Sequence, residues 1–176
     1  ILFLLFVYRI PGLAAGLALI SYIELMLLAL NGFDLTLTLP GIAGIILNIG
    51  MAVDANVIIY ARIREEIAAG KNVKSAIGIG FKKATSAIVD GNVTTFIAAL
   101  VLWIKGSGTV QGFATTLMIG IFIQLFTSLV VSRGLVWMLY YMGFQKPVFY
   151  GKERVKKTIK FIEKRKIWFS ISIIVI

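Results

Sequence analysis

The sequence contains no cysteine and no histidine among its 176 residues. Without thiols there are no disulfides, and without thiolate or imidazole ligands the usual transition-metal sites are excluded, so no metal is expected. Catalysis by histidine is excluded too. No nucleophile–base pair takes its place, which points away from an enzyme and from a bound cofactor. Acids are also scarce: eight Asp and Glu face eighteen Lys and Arg, a formal charge of +10. With histidine absent, any proton carried within a membrane must ride on one of those few carboxylates.

What is abundant is apolar surface. Hydrophobic residues make up 59% of the chain and charged ones 15%, with a mean hydropathy of +0.95. Soluble domains are less apolar and more charged. Runs approaching 20 apolar residues recur, which predicts an all-α integral membrane protein crossing the bilayer several times. In a soluble protein a charge of +10 would suggest nucleic acid. Here the cations cluster between apolar runs, where they set topology, so the expected surroundings are lipid and no nucleic acid.

The spacing predicts four complete spans, at about 13–30, 41–60, 84–104 and 110–131, and two truncated ones, at 1–7 and 167–176. Pro11 and Gly12 break the chain before the first complete span. Within the polar connection after Arg62, residues Val73, Ala76, Ile77, Gly80 and Phe81 recur at helical spacing. That pattern predicts a short interfacial helix over 73–81 lying on the membrane. Residues 132–144 are apolar but too short to span, which predicts an interfacial segment. Residues 145–166 form a basic linker. The first residues read as the tail of a helix and the last as the start of one, so the chain reads as a fragment.

Placing Arg9, loop 62–83 and segment 132–166 on one side collects 17 of the 18 cations and leaves only Lys105 opposite. The positive-inside rule makes the rich side cytoplasmic, with loops 31–40 and 105–109 extracytoplasmic.

Three acids fall within spans: Glu24, Asp54 and Asp90. A lone Asp at the centre of a membrane helix costs about 2.5–3.5 kcal/mol on insertion scales, so it is kept for a reason. Asp54 precedes Arg62 by eight residues, roughly 12 Å along a helix. Asp90 follows Lys83 by seven, roughly 10 Å. The two acids therefore lie at similar depth on antiparallel spans, and if their faces meet they could share one proton. Hydrogen-bond donors stand nearby: Asn56 beside Asp54, and Asn92, Thr94 and Thr95 beside Asp90. Asp54 and Asp90 are the candidate ion-coupling (proton-transit) residues, and each also has a structural reading as a helix-packing hydrogen bond, which for Asp90 stands level with the functional one. For Glu24, close to Ser21 and Tyr22, the structural reading is preferred and any ion-coupling role is minor.

Small residues spaced by four form ridges at Ala87, Gly91 and Thr95, and at Gly112, Thr116 and Gly120 continuing to Gln124 and Ser128. Gly41, Gly44, Asn48 and Ala52 form a third. Such ridges let helices approach closely in lipid. The ridge beginning at Gly112 drifts around its helix, so only its first part is expected to form one face.

"LPGIAGIILNIGMAVDANVIIYARIREE" resembles the fourth membrane helix of the SecD family of protein-export proteins, within the RND superfamily. "AIGIGFKKATSAIVDGNVTTFIAALVL" resembles that family's next segment, with an Asp-x-Asn-x-Thr-Thr pattern at Asp90, Asn92, Thr94 and Thr95. "GSGTVQGFATTLMIGIFIQLFTSLVVSR" resembles its sixth helix, and "FIEKRKIWFSISIIVI" the opening of SecF. The resemblance implies the SecD membrane half of a fused SecDF polypeptide, without the periplasmic domains. It implies a bacterial or archaeal plasma (inner) membrane location. It implies partnership with the SecF half, the SecYEG translocon and unfolded preproteins. It implies drive from a proton or sodium gradient rather than from a cofactor. Asp54 then matches the carboxylate that takes part in ion transit, its partners lying on the SecF half, while Asp90 matches a motif position. Two alternatives remain open: an RND-type exporter of lipids or small hydrophobic compounds, and a passive scaffold for the translocon.

Overall fold

A computed structural model describes residues 2–33 and 38–150. Asp34, most of the basic linker and the start of the last span lie outside the described residues. The chain is helical from α1 (Leu2–Tyr8) through α2 (Ile10–Gly32), α3 (Leu39–Ala68), α4 (Val73–Lys105) and α5 (Thr109–Phe126). A π turn (Thr127–Val131) leads without a break into α6 (Ser132–Tyr141), and a 3-10 turn (Pro147–Tyr150) follows. Four rods are long and apolar enough to cross a membrane: α2, α3, α4 and the continuous Thr109–Tyr141 helix.

The chain reverses at Arg9, which takes a left-handed φ of 53°, and not at Pro11 and Gly12. Pro11 sits in the first turn of α2, where its missing N–H costs nothing. Gly12 lies against the backbone of Leu4 and Leu5, in space that a Cβ would occupy. Polar side chains start the next two rods. Thr38 Oγ1 accepts the N–H of Gly41 at 3.2 Å, and Asn72 Oδ1 accepts that of Ser75 at 2.8 Å, each satisfying an otherwise orphaned donor.

The expected interfacial helix over 73–81 is instead the beginning of α4, which runs unbroken for 33 residues. Its apolar residues Val73, Ala76, Ile77 and Phe81 are buried with Tyr60 and Ile63 of α3 rather than laid on lipid. Gly80 makes this possible, because its backbone packs directly on that of Ile63. Helical periodicity marks a face to be covered and does not say by what. Residues 132–144 likewise begin as the continuation of a long rod rather than as a separate interfacial helix.

α3 is the hub, packing most extensively on α5 and α4. Two of the three small-residue ridges meet there: Gly41, Gly44, Asn48 and Ala52 face Thr116, Gly120 and Gln124, and all seven are buried. Ser128 and Ser132 extend the buried line, because the wider π turn takes up the drift of a four-residue repeat. The α4 ridge behaves differently. Ala87 and Gly91 are exposed, and only 17% of the most apolar window of α4 is buried within the chain.

One end of the bundle gathers the cations. Arg9 donates to the carbonyl of Val148 at 3.2 Å, Arg64 stacks over Tyr8, and Arg133 lies over Phe81. At the same end Glu66 accepts from Lys71 and from Lys83, the latter at 2.6 Å. These hydrogen bonds hold the Glu66 carboxyl below the usual carboxylate range, with the positive charge of the two lysines adding to the effect.

Candidate functional site

α3, α4 and α5 leave an open cleft of about 200 Å³ between them, lined by Met51, Asp54, Ala55 and Ile58, by Ala87, Ile88, Gly91 and Asn92, and by Gln124. Asp54 is exposed at its edge. The cleft exists because Ala87 and Gly91 of α4 put almost no side chain opposite Asp54. Gly91 has nothing within 4 Å of where a Cβ would stand. Among the described residues no Lys or Arg lines the cleft and no side chain donates a hydrogen bond to Asp54. A carboxylate in that position is available to a proton, a cation or a partner helix.

Asp90 does not join it. Depth counting places it correctly along α4, but Gly91 and Asn92 are the residues that turn toward the cleft. The Asp90 carboxylate instead accepts from Ser86 Oγ one turn earlier, at 3.3 Å. The faces of Asp54 and Asp90 do not meet, so the condition for a shared proton is not fulfilled and each carboxylate stands by itself.

The supporting polar residues separate as well. Asn56 is buried on the inner face of α3 and donates to the carbonyl of Ala52 at 3.1 Å, so it is not a donor to Asp54. Thr94 and Thr95 donate to the carbonyls of Asp90 and Gly91, each at 3.1 Å, and so satisfy their own helix. Asn92 does reach the cleft. Glu24 is exposed on α2, while Tyr22 is buried on the opposite side, so the two do not form one polar face.

Gln124 is the residue that sequence reasoning missed. It was counted as one step of a packing ridge, yet it is a large polar side chain, 1% exposed, in the middle of an apolar run. Its Nε2 donates across the helix boundary to the carbonyl of Met51 at 3.2 Å, and it completes the cleft lining. A buried amide in a span is the signal that could have found it.

Comparison with known proteins identifies the family and the fold. The family model of the protein export membrane protein SecD/SecF, C-terminal, matches residues 1–142. The chain is similar to the protein translocase subunit SecD of Acidaminococcus fermentans, 46% identical over 160 residues, covering 90% of this chain and 38% of the relative. It is 48% identical over 138 residues to the protein translocase subunit SecDF of Bacillus subtilis, covering 78% of this chain and 19% of that one. The crystal structure of SecDF from Thermus thermophilus, described as a translocon-associated membrane protein, superposes with a TM-score of 0.86 at 36% identity. That match covers 98% of this chain and 24% of the other. The chain thus spans well under half the length of these relatives. The all-α membrane bundle expected from hydropathy is the fold these proteins share. The chain belongs to the SecD/SecF family of protein export membrane proteins and carries its C-terminal region.

Proposed function

We propose that this chain is the SecD-side membrane part of an ion-driven protein-export machine, in which Asp54 binds and releases the coupling proton. It is a transport component and not an enzyme. The observation that carries this reading is the exposed Asp54 carboxylate in the cleft between α3, α4 and α5, with no cation lining it. A permanent unpaired charge at that depth is costly, whereas one that is neutralised and restored can bias two helix packings. The missing partner belongs on the SecF half, which would cover the exposed faces of α3 and α4. The machine would act with the SecYEG translocon on unfolded preproteins, in a bacterial or archaeal plasma membrane, with the cation-rich end in the cytoplasm.

The test is Asp54→Asn in the full-length protein, reconstituted with the translocon. Gradient-driven export should fall to the level seen without a gradient, with assembly unchanged. Undiminished export would overturn the reading and favour a passive scaffold.

A further inference from the structure

Asn92 and Gln124 bring the same arrangement to one cleft. Both are buried, at 7% and 1% exposure, and both line the Asp54 cleft from different helices. Each uses its amide nitrogen on a backbone carbonyl: Asn92 Nδ2 on Ile88 at 2.7 Å, and Gln124 Nε2 on Met51 at 3.2 Å. Those bonds fix which end of each amide is oxygen, since a flipped amide would press its oxygen against a carbonyl oxygen. The remaining atoms, Asn92 Oδ1 and Gln124 Oε1, are buried and have no donor among the described residues. Buried acceptors are ordinarily satisfied. The amide oxygens of Asn48 and Asn56 also lack a donor among the described residues, but neither residue lines the cleft, whereas Asn92 and Gln124 share it with a carboxyl group that can become a donor.

The cleft lining offers none. Its other side chains are apolar or glycine apart from Asp54, which is its sole titratable group. The titratable group of α4 near this level, Asp90, is turned to Ser86, and α5 contributes none. An ionised carboxylate can only accept, but a protonated one gains an O–H that donates.

We infer that Asn92 and Gln124 are positioning residues whose amide oxygens accept the O–H of protonated Asp54 and hold the loaded side chain in the cleft. On loading, a proton from water bonds to a carboxylate oxygen, the negative charge is neutralised, and the single new O–H donates between the two amide oxygens, which share it. On unloading, the O–H bond breaks, its electron pair stays on the carboxylate, and the proton leaves on water. The restored anion then faces two partly negative oxygens and turns to the open rim. This inference rests on the reading of Asp54 as the proton carrier and adds what makes its two states differ in position.

Infrared difference spectroscopy of the full-length protein in vesicles, stepped from neutral to acid buffer, tests it. The carboxylic acid C=O band of Asp54 is the one lost in Asp54→Asn. Asn92→Ala and Gln124→Met should each shift that band to higher frequency, as for an acid left with one acceptor in place of two, and the double variant should shift it further. Each should also slow proton-driven export about fivefold, the effect of losing one ordinary hydrogen bond. Gln124→Met also removes a bond between helices, whereas Asn92→Ala removes one only within α4 and stays interpretable if the former does not assemble. A band unmoved in the assembled variants overturns the inference and leaves the role of Asp54 standing. An Asp54 response that requires sodium rather than acid overturns it in favour of a metal cation. Export indifferent to Asp54→Asn removes the proton-carrier role and this inference together.

Discussion

Gly120 of α5 lies directly beneath Asn48 of α3, so close that a Cβ built on the glycine would stand 2.0 Å from the Asn48 amide nitrogen. The same amide donates to the carbonyls of Thr116 and Leu117, at 3.4 and 3.3 Å, and bridges the two helices. Gly120→Ala should therefore force the helices apart and destabilise the bundle by about 1–3 kcal/mol, as overpacking does. Thermal unfolding in detergent measures it. Gly134→Ala, at a glycine with open space around it, serves as the control and should show no loss.

Asp54 and Asp90 should respond unequally to the same change. Asp54 stands at the cleft and Asp90 is turned to Ser86. Asp54→Asn is expected to abolish gradient-driven export, and Asp90→Asn to reduce it by less than about tenfold, which is less than about 1.4 kcal/mol. Equal loss in two well-assembled variants would place Asp90 in the ion path as well.

Tyr60 Oη and Ser132 Oγ share a hydrogen bond of 2.7 Å between α3 and α6, with both residues fully buried. Tyr60→Phe should cost about 0.6 kcal/mol, the average for such bonds between membrane helices, and at most about 1.7. A double-mutant cycle with Ser132→Ala isolates that coupling, which should vanish in the double variant.

Glu66 supplies a pH dependence whose sign follows from its partners. Its hydrogen bonds with Lys71 and Lys83 lower its carboxyl from the ordinary value of 4.5. The stabilisation is therefore fully present above about pH 4.5 and is lost as pH falls through the lowered native value. The lysine side chains are 42% and 58% exposed, so solvent weakens the effect. Comparing the wild-type protein with Glu66→Gln, the difference in melting temperature should stay level above pH 4.5 and close on acidification below it. A gap that widens toward acid would contradict the assignment.

The rods themselves were legible in the sequence, because an 18-residue apolar run has few other uses. The cost of a carboxylate within a span and the family resemblance singled out Asp54 in the sequence, and its exposure at the cleft came from the structure. What depth counting could not supply was azimuth. Asp90 has the right height, yet one residue turns the helix by about 100°, and so Gly91 and Asn92 face the cleft instead. The 73–81 segment failed for a related reason: its periodic face is real, but the neighbour that covers it is α3 and not lipid. Gln124 escaped because a four-residue spacing was read as a ridge of contacts, and the chemistry of one member was averaged away.

The tightest backbone approach and the ion pair between α3 and α4 gather at one end. Gly80 abuts Ile63, and beyond it Glu66 holds Lys83. Asp54 lies nine residues from Ile63, roughly 14 Å along the axis. A pair of rods pinned at one end moves like scissors, with displacement growing along the blades. A swing of roughly 10° about that pin would part the blades by about 2 Å at the level of Asp54, while leaving the pin itself nearly still.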